Sequence, residues 1–133
     1  MVTYLIGTDG EPASRAISEH LEMEVTPEDR VEAVYVTTKD SPEATRAVEL
    51  IDERLGSKTN VDARVVDPGR DSGPLEELLE LAEEVSADIM VVGLRRHSRT
   101  ERIIMGSISH ALIERVTIPL LLVPLPEYQP PEG

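Results

Sequence analysis

Cysteine, tryptophan and phenylalanine are all absent from this 133-residue chain, and Tyr4, Tyr35 and Tyr128 are its only aromatic residues. Without a thiol there can be no disulfide, thiolate nucleophile, cysteine-held zinc or iron–sulfur cluster. With so few aromatic rings there is no stacking platform for single-stranded nucleic acid. Positive charge is scarce too: 13 Lys+Arg, of which only Lys39 and Lys58 are lysines, face 26 Asp+Glu for a net charge of −13. That field opposes binding to nucleic acid or to an anionic membrane. No uncharged apolar run approaches the ~18 residues of a membrane-spanning helix. The chain opens directly into Val2–Ile6, without the basic segment and cleavage site of a secretory signal. The expectation is a soluble cytoplasmic protein. Excess carboxylate, scarce lysine and small apolar side chains read as adaptation to concentrated salt, where screening removes the self-repulsion of such a charge.

What is present is a regular alternation of strand and helix. An apolar run from Val2 to Thr8 ends in Thr-Asp-Gly and leads into a helical stripe through Ala13, Ala16, Ile17, Leu21 and Met23. A second strand over 31–37 precedes a helix introduced by Ser41-Pro42-Glu43 and closed by Gly56. A third strand over 61–67 precedes a helix over 74–86, with Leu75, Leu78, Leu79, Ala82 and Val85 on one stripe. The fourth strand spans 88–92, the last helix 107–116 and the fifth strand 119–123, leaving a Pro-rich tail. Such alternation predicts one α/β domain over 1–124, with residues 125–133 as the tail. Its core is an open five-stranded parallel sheet, Rossmann-like, with right-handed crossovers and helices on both faces.

In such sheets ligands bind outside the carboxyl ends of the strands, where strand order reverses. That rule selects Gly7-Thr8-Asp9-Gly10, Val36-Thr37-Thr38, Asp67-Pro68-Gly69 and the stretch after Val92. About a dozen residues, 93–104, separate the fourth strand from the last helix, more than the ~2 to 6 usual for such a connection. They carry Arg95, Arg96, Arg99 and Arg102, so a strongly acidic chain gathers cations beside one predicted ligand edge. Gly106-Ser107 then opens a helix whose free N–H groups and dipole favour an anion such as phosphate. Taken singly, the same glycines read as turn residues, Ser107 as an N-cap and the arginines as partners of surface carboxylates.

Their spacing is Gly93, two residues, Arg96, nine residues, then Gly106-Ser107. This resembles the nucleotide-binding signature Gly-x2-Gly-x9-Gly-[Ser/Thr] of the universal stress protein family. Tyr4–Gly10 is similar to that family's first strand and aspartate, and Ile118–Pro124 to its last strand. The resemblance implies strand order 3-2-1-4-5 and a two-fold homodimer through the last strand, Pro119 to Val123. It also implies ATP, with or without Mg, held with adenine near Asp9 and Val36 and phosphates over Gly93, Gly106 and Ser107. Asp9 and the loop after the fourth strand would supply ribose contacts, and Thr8, Arg96 and Ile108 complete the implied nucleotide set. Arg96 departs from the signature, which has glycine there. Its side chain can reach a phosphate or fill the space of one, and it lacks glycine's backbone freedom. The alternative is a universal stress protein that binds no nucleotide and acts as a dimeric protein-interaction module.

Other chemistries fit less well. A phosphoacceptor receiver domain could use Asp67, but it needs an acidic pair after the first strand and a lysine after the fifth, and no lysine lies beyond residue 58. Asp9 before Gly10 also reads as an Asx-type turn residue. His20, His97 and His110 are dispersed, without the clustering of a metal centre. With no Gly-Lys-[Ser/Thr] P-loop and no positioned base, hydrolysis of a bound nucleotide is expected to be slow or absent.

Overall fold

The computed structural model describes residues 1–39, 41–69, 73–97, 102–104 and 107–125; within 95–110 it describes backbone alone. In chain order the elements are β1 (Thr3–Gly7), α1 (Glu11–Leu21), β2 (Arg30–Val36), α2 (Pro42–Leu55), β3 (Asn60–Val66), α3 (Pro74–Glu84), β4 (Ile89–His97), β5 (Arg102–Ile104), α4 (Ser107–Arg115) and β6 (Leu120–Pro124). The five parallel strands lie in the order β3-β2-β1-β4-β6. Counting those strands along the chain, this is the expected 3-2-1-4-5. Each of α1, α2 and α3 carries a proline in its first turn, where the missing N–H costs no helical bond. Ser41 caps α2 by accepting the Ala44 amide at 3.2 Å, and Gly56 ends that helix in right-handed conformation.

Alternation along the strands splits the core into two layers. Ile6, Val31, Ala33, Val91 and Val123 meet Ala13, Ile17 and Leu21 of α1 and Ile51 and Leu55 of α2. Leu5, Val34, Met90 and Val92 meet Leu78 and Leu81 of α3 and Leu112 of α4 on the opposite face. Helices α1 and α2 follow strands that step one way across the sheet, and α3 and α4 follow steps the other way. Right-handed crossovers therefore place the two pairs on opposite faces, and the reversal falls between β1 and β4.

Two expectations are corrected. Residues 93–104 do not form one long loop: β4 continues to His97 and pairs antiparallel with β5 in the register Arg95↔Ile104, Arg96↔Ile103 and His97↔Arg102. The ladder satisfies backbone groups that a free loop would leave to water. Met23 does not continue the α1 stripe. The amides of Glu24 and Val25 both take the Leu21 carbonyl, so the chain turns there, Val25 packs on the core and Met23 is 86% exposed. In addition, Leu125, assigned to the tail, packs against the α1–α2 layer and donates its amide to Leu94 at 2.8 Å. Residues 126–133 lie outside the described residues.

The amino ends of the strands are tied by two carboxylates. Asp29, buried, accepts the Val2 amide at 2.8 Å and the Thr26 amide at 2.9 Å, and Asp88 accepts the Thr3 amide at 2.8 Å. Burial by itself pushes the Asp29 carboxyl up, but the backbone bonds from Thr26 and Val2 outweigh it and hold it below the ordinary aspartate value. A depressed folded-state value means stability that is present above the unfolded aspartate range and is lost as pH falls through the folded value. Asp29→Asn, which keeps one acceptor oxygen, is expected to cost roughly 1.5 to 3 kcal/mol at pH 7. The cost should narrow below pH 4; melting temperatures of both proteins from pH 7 to pH 3 check it, and a constant gap would contradict the assignment.

Candidate functional site

At the carboxyl ends of β1, β2 and β4 the sheet opens into a cleft of about 510 Å³, counting its open mouth, lined by Gly7, Thr8, Asp9, Tyr35, Val36, Pro74, Leu78, Val92 and Gly93. It lies at the reversal of strand order, where the two crossovers diverge and leave a crevice. Four of the expected site residues, Thr8, Asp9, Val36 and Gly93, thus come together from positions up to 85 apart in sequence. The wall is apolar where Val36, Leu78 and Val92 meet it, and the exposed Asp9 stands at the rim.

Thr8 contributes differently from a ligand-facing hydroxyl. Its amide continues the β1–β2 ladder to Val34 O at 3.0 Å, while its Oγ1 lies 2.7 Å from Ser14 Oγ and 3.0 Å from Gly10 O. The hydroxyl is therefore engaged with α1 and the turn, and only 5% of the residue is exposed.

Gly7 at the end of β1 and Gly93 within β4 are packing residues as well as openings. A Cβ on Gly7 would come within 3.2 Å of Leu78, so glycine lets α3 seat its leucine against the end of β1. A Cβ on Gly93 would meet Leu125 at 3.2 Å and Ala13 at 3.4 Å. The absence of a side chain at 93 thus serves the α1 face of the sheet, in addition to any close approach by a ligand.

Arg96 lies within β4, opposite Ile103. Strand backbone is open to any residue, so arginine in place of the signature glycine imposes no backbone strain there. Ser107 and Ile108 are the first residues of α4, and Gly106 lies outside the described residues. Asp67 ends past β3, with its Oδ1 accepting the Gly69 amide at 2.9 Å. That is an Asx turn and gives it the local role that its sequence context allowed. No group of three or more metal-ligating side chains occurs among the described residues, and none of the described helices is long and apolar enough to cross a membrane.

Sequence reasoning selected Gly7 with the end of the first strand but missed Tyr35, Pro74, Leu78 and Val92 as cleft residues. Tyr35 and Val92 adjoin segments that the strand-end rule selected. Leu78 was legible only as one member of the α3 stripe; that this helix abuts the cleft is a consequence of its face of the sheet.

These features define a doubly wound α/β domain whose cleft sits at the topological switch point. Residues 3–124 match the universal stress protein family, and the chain belongs to that family. It is 28% identical over 89 residues to universal stress protein MJ0531 of Methanocaldococcus jannaschii, covering 67% of this chain and 49% of that protein. The chain spans half the length or less of the curated relatives it matches. Among solved structures, the hypothetical protein MJ0577 superposes with a TM-score of 0.73 at 21% identity, over 96% of this chain and 98% of its own. A universal stress protein solved in complex with cAMP gives 0.67 at 22% identity, over 94% and 98%. At these identities the likeness is one of fold.

Proposed function

We propose that this universal stress protein binds an adenine nucleotide, ATP with or without Mg, in the cleft at the ends of β1, β2 and β4, and works as a homodimeric stress-response module with little or no hydrolysis. One observation carries the reading: Thr8, Asp9, Val36 and Gly93 line a single cleft at the switch point. An apolar wall from Val36, Leu78 and Val92 suits a purine, and a carboxylate at the rim suits ribose hydroxyls. The phosphates run toward Gly106, Ser107 and Ile108, since the first turn of a helix such as α4 directs its amides and the positive end of its dipole at an anion. A relative of the same fold was solved with cAMP, which supports an adenine ligand. The net charge of −13 fits a salt-rich working environment and opposes nucleic acid or an anionic membrane as partner; a cytoplasmic location belongs to the same reading.

Arg96 separates this reading from the alternative, a nucleotide-free dimer that acts through protein contacts. In the proposed site its guanidinium adds a charge-assisted contact to phosphate. Arg96→Gly is then expected to weaken ATP binding, with a loss that shrinks as potassium chloride rises, because part of the attraction is screened. Calorimetry at low and high salt reads this directly. Tighter binding by Arg96→Gly would mean that the arginine obstructs the site, and an unchanged dissociation constant at both salts would remove it from the site.

A further inference from the structure

We infer that Ser14, which does not line the cleft, is the positioning residue that fixes the Asp9 turn by tying it to α2; its effect on ligand binding rests on the nucleotide reading above, its effect on the turn does not. Ser14 is fully buried in the first turns of α1. Its Oγ donates to the Ala47 carbonyl of α2 at 2.7 Å and lies 2.7 Å from Thr8 Oγ1. A carbonyl can only accept, and a serine hydroxyl has one proton. The Thr8 hydroxyl in turn lies 3.0 Å from the Gly10 carbonyl, another pure acceptor, so two protons serve three contacts and are shared along the line Gly10 O, Thr8 Oγ1, Ser14 Oγ, Ala47 O. That line of oxygens joins the turn at Gly10 to α2 at Ala47 through Ser14.

The turn between is held at both ends. On one side the Thr8 amide is bonded to Val34 of β2 and its hydroxyl to Ser14. On the other the Gly10 carbonyl accepts the Ser14 amide at 3.0 Å. Asp9 sits between these anchors, exposed at the rim of the cleft.

Serine is otherwise a poor choice for this position. It shares the buried stripe of α1 with Ala13, Ile17 and Leu21, where alanine is the better helix former and a buried hydroxyl is costly unless bonded. Ser14→Ala should leave the core filled and Ala47 in its own helix. The Thr8 hydroxyl keeps only its local contacts to the carbonyl and amide of Gly10, so the turn loses its tie to α2.

Amide hydrogen exchange on the full chain, compared between wild type and Ser14→Ala, tests this. Exchange at Asp9, Gly10 and Glu11 is expected to rise roughly 5-fold, the factor one hydrogen bond of ordinary strength supplies, while the amides of Leu5, Ile6 and Val91 stay as they were. The hydroxyl-bearing variant Ser14→Thr should return the turn amides toward wild type. A uniform rise across the chain, or no rise at the turn, would overturn the inference. The dissociation constant for magnesium ATP should rise by a similar factor in Ser14→Ala, and that increment should vanish when Asp9→Ala is already present. A full increment in the Asp9→Ala background would show that Ser14 acts by general packing and not through the turn. If wild type binds no nucleotide, the functional reading fails while the exchange result still decides whether Ser14 holds the turn.

Discussion

Titration with magnesium ATP in molar potassium chloride is expected to give a saturable isotherm, and Gly106→Asp to abolish it. A carboxylate at 106 would stand where the signature spacing puts phosphate, and two anions in close approach repel each other. Ser107→Ala removes a single donor and leaves the amides at the start of α4 in place. Its cost is roughly 1.5 to 3 kcal/mol, the range for a hydrogen bond to a charged acceptor, or about 10- to 150-fold in dissociation constant. The contrast between the two variants carries the test. Equal losses would contradict phosphate at the start of α4, and absence of both heat and thermal shift at millimolar ATP would sink nucleotide binding altogether.

The second large effect concerns assembly. β6 pairs with β4 alone among the described strands. Met90 donates to the Pro119 carbonyl and Leu125 to the Leu94 carbonyl, so in this parallel register the peptide groups of Leu121 and Val123 face β4. Those of Leu120 and Leu122 face outward. The run of leucines is not an outward apolar face, as its composition alone would allow: Leu120 and Leu122 pack on the α3–α4 layer and Leu121 on the α1–α2 layer. What the edge exposes is backbone, and a second β6 could pair with it across a two-fold axis. Leu122→Pro removes an outward donor without touching the β4 ladder and is expected to give monomer by light scattering, with the fold retained by circular dichroism. A dimer that survives this change would place the contact elsewhere, and a wild-type monomer at micromolar concentration would refute the dimer.

Local pattern was enough for much of the fold. The first-turn prolines of α1, α2 and α3, the Ser41 cap and the alternation of short apolar runs with 3.6-period stripes all act within a few residues, and β1 to β3, β6 and the start of β4 fall close to where those signals put them. The sheet order was legible through the family resemblance, and right-handed crossovers then require α1 and α2 on one face and α3 and α4 on the other. Thr8, Asp9, Val36 and Gly93 could be picked in advance because the ends of parallel strands share one edge. The remainder depended on contacts between segments far apart in sequence. The pairing of β5 with β4 fixes Arg96 in extended backbone, which no reading of a glycine-to-arginine departure could supply. Leu78 enters the cleft because α3 packs against the end of β1 at Gly7, and Gly93 is crowded by Leu125 from beyond the last strand. Ser14 has no motif around it. Its meaning comes from two oxygens, on Thr8 and Ala47, that only the stacking of α1 against the sheet and α2 brings within 2.7 Å.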